Sequence, residues 1–326
     1  MPSGALVILG CGWIALRHAT AARALRIPLV FASRDLARAR AYARRFRAIA
    51  AYGDYAEALR DPRVSGAVVC TPHDRHLPDV LAALAAGRHV LVEKPIARTL
   101  GEADAMIAAA AAAECVLMVA EQFHFMPAFR YVRRLLDGDR LGELRQIHMR
   151  ARGFHRPMGW RLAGPAAGGG ALIDGGIHYV HSLRWWGGSI DQVFALAPAA
   201  VQSGLGGEEA VDLLARLPGG AVGLLSNSLG APGIPRFQWS TVTGTRASCL
   251  AENRGRVVAV RGGGRGRLRI FRRDTRGYEA MLKTFREAME SGRAPEMDGA
   301  AGRADLAVVL AAYRSIAEGR PVDLAC

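Results

Sequence analysis

The chain has 326 residues, 51% of them hydrophobic and 22% charged, with 38 glycines and a formal net charge of +14. At about 100–200 residues per domain, that length predicts two domains, and apolar content this high excludes a disordered chain. The Ala-rich stretch 103–120 carries Asp104 and Glu114, so it reads as a helix running into a strand and no membrane partner is expected. Met1–Gly4 lack a basic n-region, and the apolar run behind them ends in Gly10 and Gly12, as a core strand would and a signal peptide would not. Cys11, Cys70, Cys115, Cys249 and Cys326 form no CxxC pair. That argues against a disulfide framework or a metal site and predicts a reducing, cytoplasmic setting. Only Lys94 and Lys283 are lysines, the other 41 of 43 basic residues being arginine. With alanine and glycine equally inflated, the excess reads as a coding bias and a solvated basic surface, which weighs against a nucleic-acid partner.

In chain order, Ala5–Leu9 is a short buried strand, followed by Gly10-Cys11-Gly12 and a helix to about Leu25. Leu29–Ala32 is a second strand, leading through Ser33-Arg34-Asp35 into a helix ending near Phe46. A short helix at Tyr55–Arg60, a strand at Gly66–Cys70, a helix at Asp74–Ala86 stopped by Gly87, a strand at His89–Val92, a helix at Leu100–Ala113 and a strand at Val116–Ala120 complete the pattern. Strands alternating with helices at this spacing predict an α/β, doubly wound parallel sheet in a dinucleotide-binding Rossmann domain over 1–120. After one more helix (Ala128–Asp137) the texture changes. Strands are expected at 146–151, 192–196, 211–217, 221–226, 239–243, 257–260 and 268–271 without intervening helices. This predicts an α+β domain over 121–326 with a mostly antiparallel, open sheet, closed by a helix at 304–318 that packs back on the first domain.

Gly10, Gly12 and Ala15 give G-x-G-x-x-A between a strand and a helix, with Trp13 and Ile14 in the turn. The first glycine permits the tight turn, the second lets a pyrophosphate approach the backbone, and the helix N-terminus faces the phosphates. The second strand ends in Ser33 and Arg34 where an acidic residue would bind a ribose 2′-hydroxyl. Ser33 does not repel a 2′-phosphate and Arg34 can clamp one, so NADP is favoured over NAD, with Asp35 left to cap the next helix.

Two further motifs carry chemistry. Glu93-Lys94-Pro95 ends a strand at the carboxyl edge of the sheet, where such sheets bind ligands. In a chain that otherwise writes Arg, Lys94 suggests a task for a compact ammonium; Pro95 stiffens the backbone and makes the preceding bond a candidate cis peptide. Gly168-Gly169-Gly170 leads into a helical stretch from about Ala171 that sets Asp174 and His178 four apart on one face. A carboxylate there can orient an imidazole for acid–base work. Gly175 and Gly176 cost about 1 kcal/mol each inside a helix, which makes sense if a flat ring lies against the backbone.

Together, G-x-G-x-x-A, Thr71-Pro72-x-x-x-His76, Gly87-x-His89-Val90-x-x-Glu93-Lys94-Pro95 and the Gly-Gly-Gly-x-x-x-Asp174-x-Gly-x-His178 run resemble the glucose-fructose oxidoreductase / inositol dehydrogenase (Gfo/Idh/MocA) family over nearly the whole chain. The resemblance implies hydride exchange between a nicotinamide and a carbinol or ketone of a sugar or cyclitol. It also implies a homo-oligomer, dimer or tetramer, packed through the open sheet. Lys94, Asp174 and His178 match the family's catalytic positions: His178 would pass the proton, Asp174 tune it, and Lys94 polarise or anchor the reacting oxygen. Thr71, Pro72, His76, Glu93 and Lys94 fall in its cofactor-binding stretches. Two departures concern substrate. His181 stands where an acidic or amide residue is common and is a candidate substrate ligand, and Glu121-Gln122 replaces a frequent Asn pair, making Gln122 another. Trp160 and Arg161 are candidates to wall the pocket and bind a substrate oxygen or phosphate. His73, His124, His155 and Tyr179 read as packing residues. The same fold also admits a nicotinamide-dependent glycosidase, against which the short chain argues, and a non-catalytic dinucleotide sensor, against which the retained Lys94, Asp174 and His178 argue.

Overall fold

The computed structural model describes residues 4–153, 158–162, 164–199, 206–231, 238–262 and 264–324. The chain divides into two compact units, Met1–Glu121 with Tyr278–Arg303, and Gln122–Gly277 with Ala304–Cys326.

The first unit carries β1 (Ala5–Leu9), α1 (Trp13–Ala24), β2 (Leu29–Ala32), α2 (Leu36–Phe46), β3 (Ala50–Tyr52), α3 (Tyr55–Arg60), β4 (Val64–Val69), α4 (His73–Ala85), β5 (His89–Glu93), α5 (Leu100–Ala112) and β6 (Leu117–Ala120). The strands form one sheet in the order β3-β2-β1-β4-β5-β6, parallel throughout. Every residue of β1, β2 and β6 is buried, which is why they appear in sequence as unbroken apolar runs. Local chemistry starts the helices: the side chains of Asp35, Asp54 and Thr99 accept from the backbone N–H of Arg38, Glu57 and Glu102. The order reverses between β1 and β4, so the loops after these two strands flank the switch point where such sheets take ligands.

In the second unit come α6 (Gln122–Phe125), α7 (Pro127–Asp137), β7 (Leu144–Arg152), α8 (Gly164–Ala167), a π-helical turn (Leu172–Gly176), α9 (Ile177–Gly187), β8 (Gln192–Leu196), β9 (Ala210–Arg216), β10 (Val222–Ser228), β11 (Gln238–Gly244), β12 (Ala247–Glu252), β13 (Val257–Gly262) and β14 (Arg265–Ile270). The chain then returns to the first unit as α10 (Tyr278–Ser291), which packs on α1. The next helix, α11 (Gly299–Glu318), starts five residues before the expected 304; it belongs to the first unit through Arg303, where Arg303 Nη2 lies 3.0 Å from Asp104 Oδ2, and to the second from Ala304. It is followed by β15 (Val322–Asp323).

The second sheet has nine strands in the order β14-β13-β12-β11-β7-β10-β9-β8-β15 and is antiparallel except for the β7–β10 pair. On one face α7 and α9 lie against β7, β10, β12 and β13. On the other, strand registers align Phe194, Leu214, Leu224, His148, Thr241, Leu250, Ala259 and Leu268 in one row across the sheet. None of these eight side chains is buried. Among the described residues no helix is long and apolar enough to cross a membrane.

Candidate active site

At the end of β1, Gly10 has φ +93°, and a Cβ there would sit 3.0 Å from the carbonyl oxygen of Cys70. Only glycine makes this turn cheaply. Gly12 begins α1 with no side-chain cap, and a Cβ added to it would meet nothing within 4 Å. The helix N-terminus therefore faces open space, while fully buried Ala15 lets the helix approach the sheet. Ile14 is half-buried; Trp13 is exposed, with the Arg17 guanidinium 5.0 Å from its ring centroid. Across the switch point the Thr71 hydroxyl is buried without a hydrogen-bond partner, and Pro72 precedes α4. Open space before a helix N-terminus and an unsatisfied hydroxyl beside it fit a bound dinucleotide phosphate.

Ser33 follows β2, buried, and its Oγ accepts from the N–H of Asp35. The Asp35 carboxylate is taken up as the cap of α2, and Arg34 is exposed. Two residues expected to touch cofactor stand behind the loops instead. His76 is fully buried, with Nδ1 2.9 Å from the Pro95 carbonyl and Nε2 3.1 Å from the Thr71 carbonyl, so it ties two loops together; burial lowers its pKa from the ordinary 6.5. The buried Glu93 carboxylate lies 2.7 Å from His18 Nε2 on α1, and its other oxygen accepts from the N–H of Lys94. Lys94 is half-buried, and the Lys94–Pro95 peptide is cis.

In the second unit His178 borders a cavity of about 220 Å³. Its ring stacks on Phe123, with centroids 4.6 Å apart and planes within 8°. The Gln122 side-chain amide donates to its Nε2 at 3.4 Å, a long hydrogen bond. The helix expected from Ala171 is instead a π-helical turn over Leu172–Gly176, with α9 beginning at Ile177. The wider turn is consistent with its glycines, since a Cβ on Gly176 would lie 2.9 Å from Leu172 Cδ1 and 3.0 Å from Asn227 Nδ2. A Cβ on Gly175, which borders the cavity, would meet nothing. Asp174 receives Arg161 Nε at 2.9 Å, and the same guanidinium lies 4.5 Å from the Trp160 centroid. Arg161 thus pairs with the carboxylate four residues before His178 in the chain.

His181 does not reach the cavity. It is 2% exposed, with Nδ1 2.9 Å from Asp305 Oδ2 and Nε2 3.1 Å from His124 Nδ1, and Arg184 Nε holds the other Asp305 oxygen. Both ring nitrogens are engaged inside the core, so a substrate role does not fit. His73, His124 and Tyr179 are buried as expected, while His155 lies outside the described residues. Sequence reasoning missed Phe123 and the far wall, where Asn227, Gln238, Asn253 and Arg276 line the cavity. Scattered carboxamides carry no spacing signal, and Arg276 was one of nine arginines between 254 and 276.

A family model described as an oxidoreductase family with an NAD-binding Rossmann fold matches residues 5–121, and the GFO/IDH/MocA C-terminal domain matches residues 129–249. The trans-1,2-dihydrobenzene-1,2-diol dehydrogenase of Mus musculus is 34% identical over 204 residues, 61% of this chain but only 59% of that enzyme. Myo-inositol 2-dehydrogenase of Thermotoga maritima is 27% identical over 329 residues, 97% of each chain. Among solved structures, aldose-aldose oxidoreductase from Caulobacter crescentus, complexed with glycerol, superposes with a TM-score of 0.90 at 26% identity, covering 99% of this chain and 100% of that one.

Proposed function

We propose that this chain, which belongs to the glucose-fructose oxidoreductase / inositol dehydrogenase (Gfo/Idh/MocA) family, exchanges a hydride between a nicotinamide dinucleotide and a carbinol or ketone of a sugar-like or cyclitol substrate. The observation that carries the reading is His178: a histidine stacked flat on Phe123, engaged at Nε2, on the wall of a cavity whose other polar side chains are four carboxamides, Ser228, Tyr179 and Arg276. Carboxamides both donate and accept, which suits vicinal hydroxyls. At about 220 Å³ the space is small beside sites for drug-sized ligands. Both curated relatives named above are dehydrogenases of hydroxylated rings by name.

When bound, the nicotinamide supplies the two-electron acceptor or donor. In the oxidising direction the carbinol C–H leaves with its electron pair, the O–H proton passes to His178 Nε2, and the C–O bond becomes C=O. The Gln122 amide donates to that nitrogen in the resting site, a long contact that gives way as the proton arrives, and Asp174, paired with Arg161, tunes the imidazole. Lys94 polarises the reacting oxygen, its backbone held by the Glu93 carboxylate that His18 fixes.

Ser33 and Arg34 support NADP over NAD, because the one carboxylate at this strand end caps a helix. The uncovered sheet face supports a homo-oligomer, and the free, buried thiols of Cys11, Cys70 and Cys249 suit a reducing cytoplasm. The test is a panel of sugars, cyclitols and diols with both dinucleotides, followed by the absorbance of the reduced nicotinamide. Turnover of at least one polyol is expected; binding of dinucleotide with no turnover across the panel would leave a sensor rather than an enzyme.

A further inference from the structure

A helix leaves its first four N–H groups without partners inside the helix. The segment that carries Asp174 and His178 starts this way, and no side chain of its own caps it. Its first N–H groups are satisfied from two places far along the chain. Gly170 N–H donates to Glu208 Oε2 (3.0 Å) and to Tyr313 Oη (3.3 Å), and Ala171 N–H to the Glu208 carbonyl (2.7 Å). Leu172 N–H donates to Glu208 Oε1 (2.7 Å) and Ile173 N–H to Tyr313 Oη (3.2 Å). The Tyr313 hydroxyl in turn donates to Glu208 Oε1 (3.1 Å), which uses all the hydrogen-bonding capacity of that oxygen. From Asp174 the segment's own ladder takes over, its N–H reaching the Gly170 carbonyl.

The glycine run exists to admit these two residues. A Cβ on Gly169 would sit 2.4 Å from Tyr313 Oη, and one on Gly170 2.0 Å from the Glu208 carbonyl oxygen. A carboxylate at a helix N-terminus is also favoured by the helix dipole. Burial pushes the Glu208 carboxyl above its ordinary 4.5 while the N–H donors pull it back.

We propose that Glu208 and Tyr313 are positioning residues for proton transfer: a cap supplied from outside the helix that fixes where the π-helical turn begins and so where Asp174 and His178 point. The proposal rests on the reading of His178 given above. It says what the Gly-Gly-Gly run is for, and it makes two residues outside the cavity necessary for turnover.

The test uses Glu208→Gln and Tyr313→Phe in the full chain, with His178→Ala as reference. Gln keeps the shape but turns an NH2 towards backbone N–H groups; Phe removes the shared acceptor. Each variant should lower kcat about 10- to 100-fold, the scale set by a displacement of about 1 Å. Dinucleotide affinity should stay within about twofold of wild type. Without any substrate, the ring 15N resonances of His178, identified by their loss in His178→Ala, should move in both variants at fixed pH. Unchanged kcat and unchanged resonances would overturn the proposal. So would a kcat that falls only in proportion to the folded fraction with the resonances in place, since that is a purely structural cap. Should Glu208→Gln fail to fold, Tyr313→Phe decides alone. If His178→Ala retains full activity, the reading of the site has failed, and the resonances still report whether the cap positions this histidine.

Discussion

Replacing Arg34 by Ala should erase the NADP preference proposed above and leave NAD binding nearly unchanged. After β2 the chain offers Ser33, Arg34 and Asp35, and the Asp35 carboxylate is occupied by the N–H of Arg38 at 3.1 Å. The Ser33 oxygen accepts from Asp35 N–H, which leaves its own proton to donate to a phosphate oxygen. A charge-assisted hydrogen bond is worth about 1.5–3 kcal/mol. Arg34 is exposed, so solvent and salt screen it. Screening brings the contact to about 1–1.5 kcal/mol, roughly a 5- to 12-fold preference at 1.4 kcal/mol per decade. Ser33→Asp should go further and reverse the preference, because a carboxylate repels the 2′-phosphate and accepts from a ribose hydroxyl. Trp13, exposed in the glycine turn, gives a fluorescence signal for both dissociation constants. The preference should also shrink as salt is raised. Equal NADP affinity in wild type and Arg34→Ala at low salt would refute the assignment.

Lys94→Arg should cost about 10²–10³ in turnover, nearly as much as Lys94→Ala, because a guanidinium does not place a single ammonium beside an oxygen; His178→Ala should lose about 10²–10⁴ with dinucleotide titration unaffected. Near-native rates in either variant would remove that residue from the mechanism. The row through Leu214 and Leu268, which are 46% and 66% exposed, should be covered by a second copy; light scattering should give an oligomer for wild type and a smaller mass for Leu214→Arg, and a wild-type monomer at micromolar concentration would count against it. Burial lowers the pKa of His76, His89 and His148 below 6.5, so the unfolded chain binds more protons and stability should fall as pH drops through that value, opposed by Glu208, whose raised pKa favours its protonated form. The urea midpoint should therefore be lower at pH 5.5 than at 7.5, and an equal midpoint would contradict the sign.

The parallel half was legible because strands buried on both faces leave continuous apolar runs, and the glycines of its first turn stand at fixed offsets. β3 escaped because three half-buried residues, Ala50–Tyr52, make no pattern. β12 escaped because Ala-Ser-Cys-Leu-Ala-Glu holds no β-branched residue. The stripe of Tyr278, Met281, Leu282, Phe285 and Ala288 on α10 is helical in period, yet nothing local says that it returns to α1. The site shows the same division. Lys94, Asp174 and His178 stand out by residue type and spacing, whereas the partners that decide their roles are distant. His181 looked like a ligand three residues after His178, because Asp305, which claims it, is 124 residues away.

The glycines of the 168–178 run do three different jobs, and alanine substitutions should separate them. Gly170 admits Glu208, Gly176 makes room for Leu172 and Asn227, and Gly175 borders the cavity with nothing in front of it. A methyl at Gly175 therefore meets no protein atom and gains helix propensity, about 1 kcal/mol at most. What it does enter is the space a substrate would use, so Gly175→Ala should hold or raise the melting temperature while raising KM. A methyl at Gly170 runs into backbone at 2.0 Å and must displace the cap, a distortion that costs about 1–3 kcal/mol. Gly170→Ala should accordingly lower the melting temperature and kcat together, with KM less affected. Thermal melts and steady-state kinetics on the two variants test this directly. If Gly175→Ala destabilises as much as Gly170→Ala, the open side of the π-helical turn has been misassigned and its glycines serve backbone conformation alone.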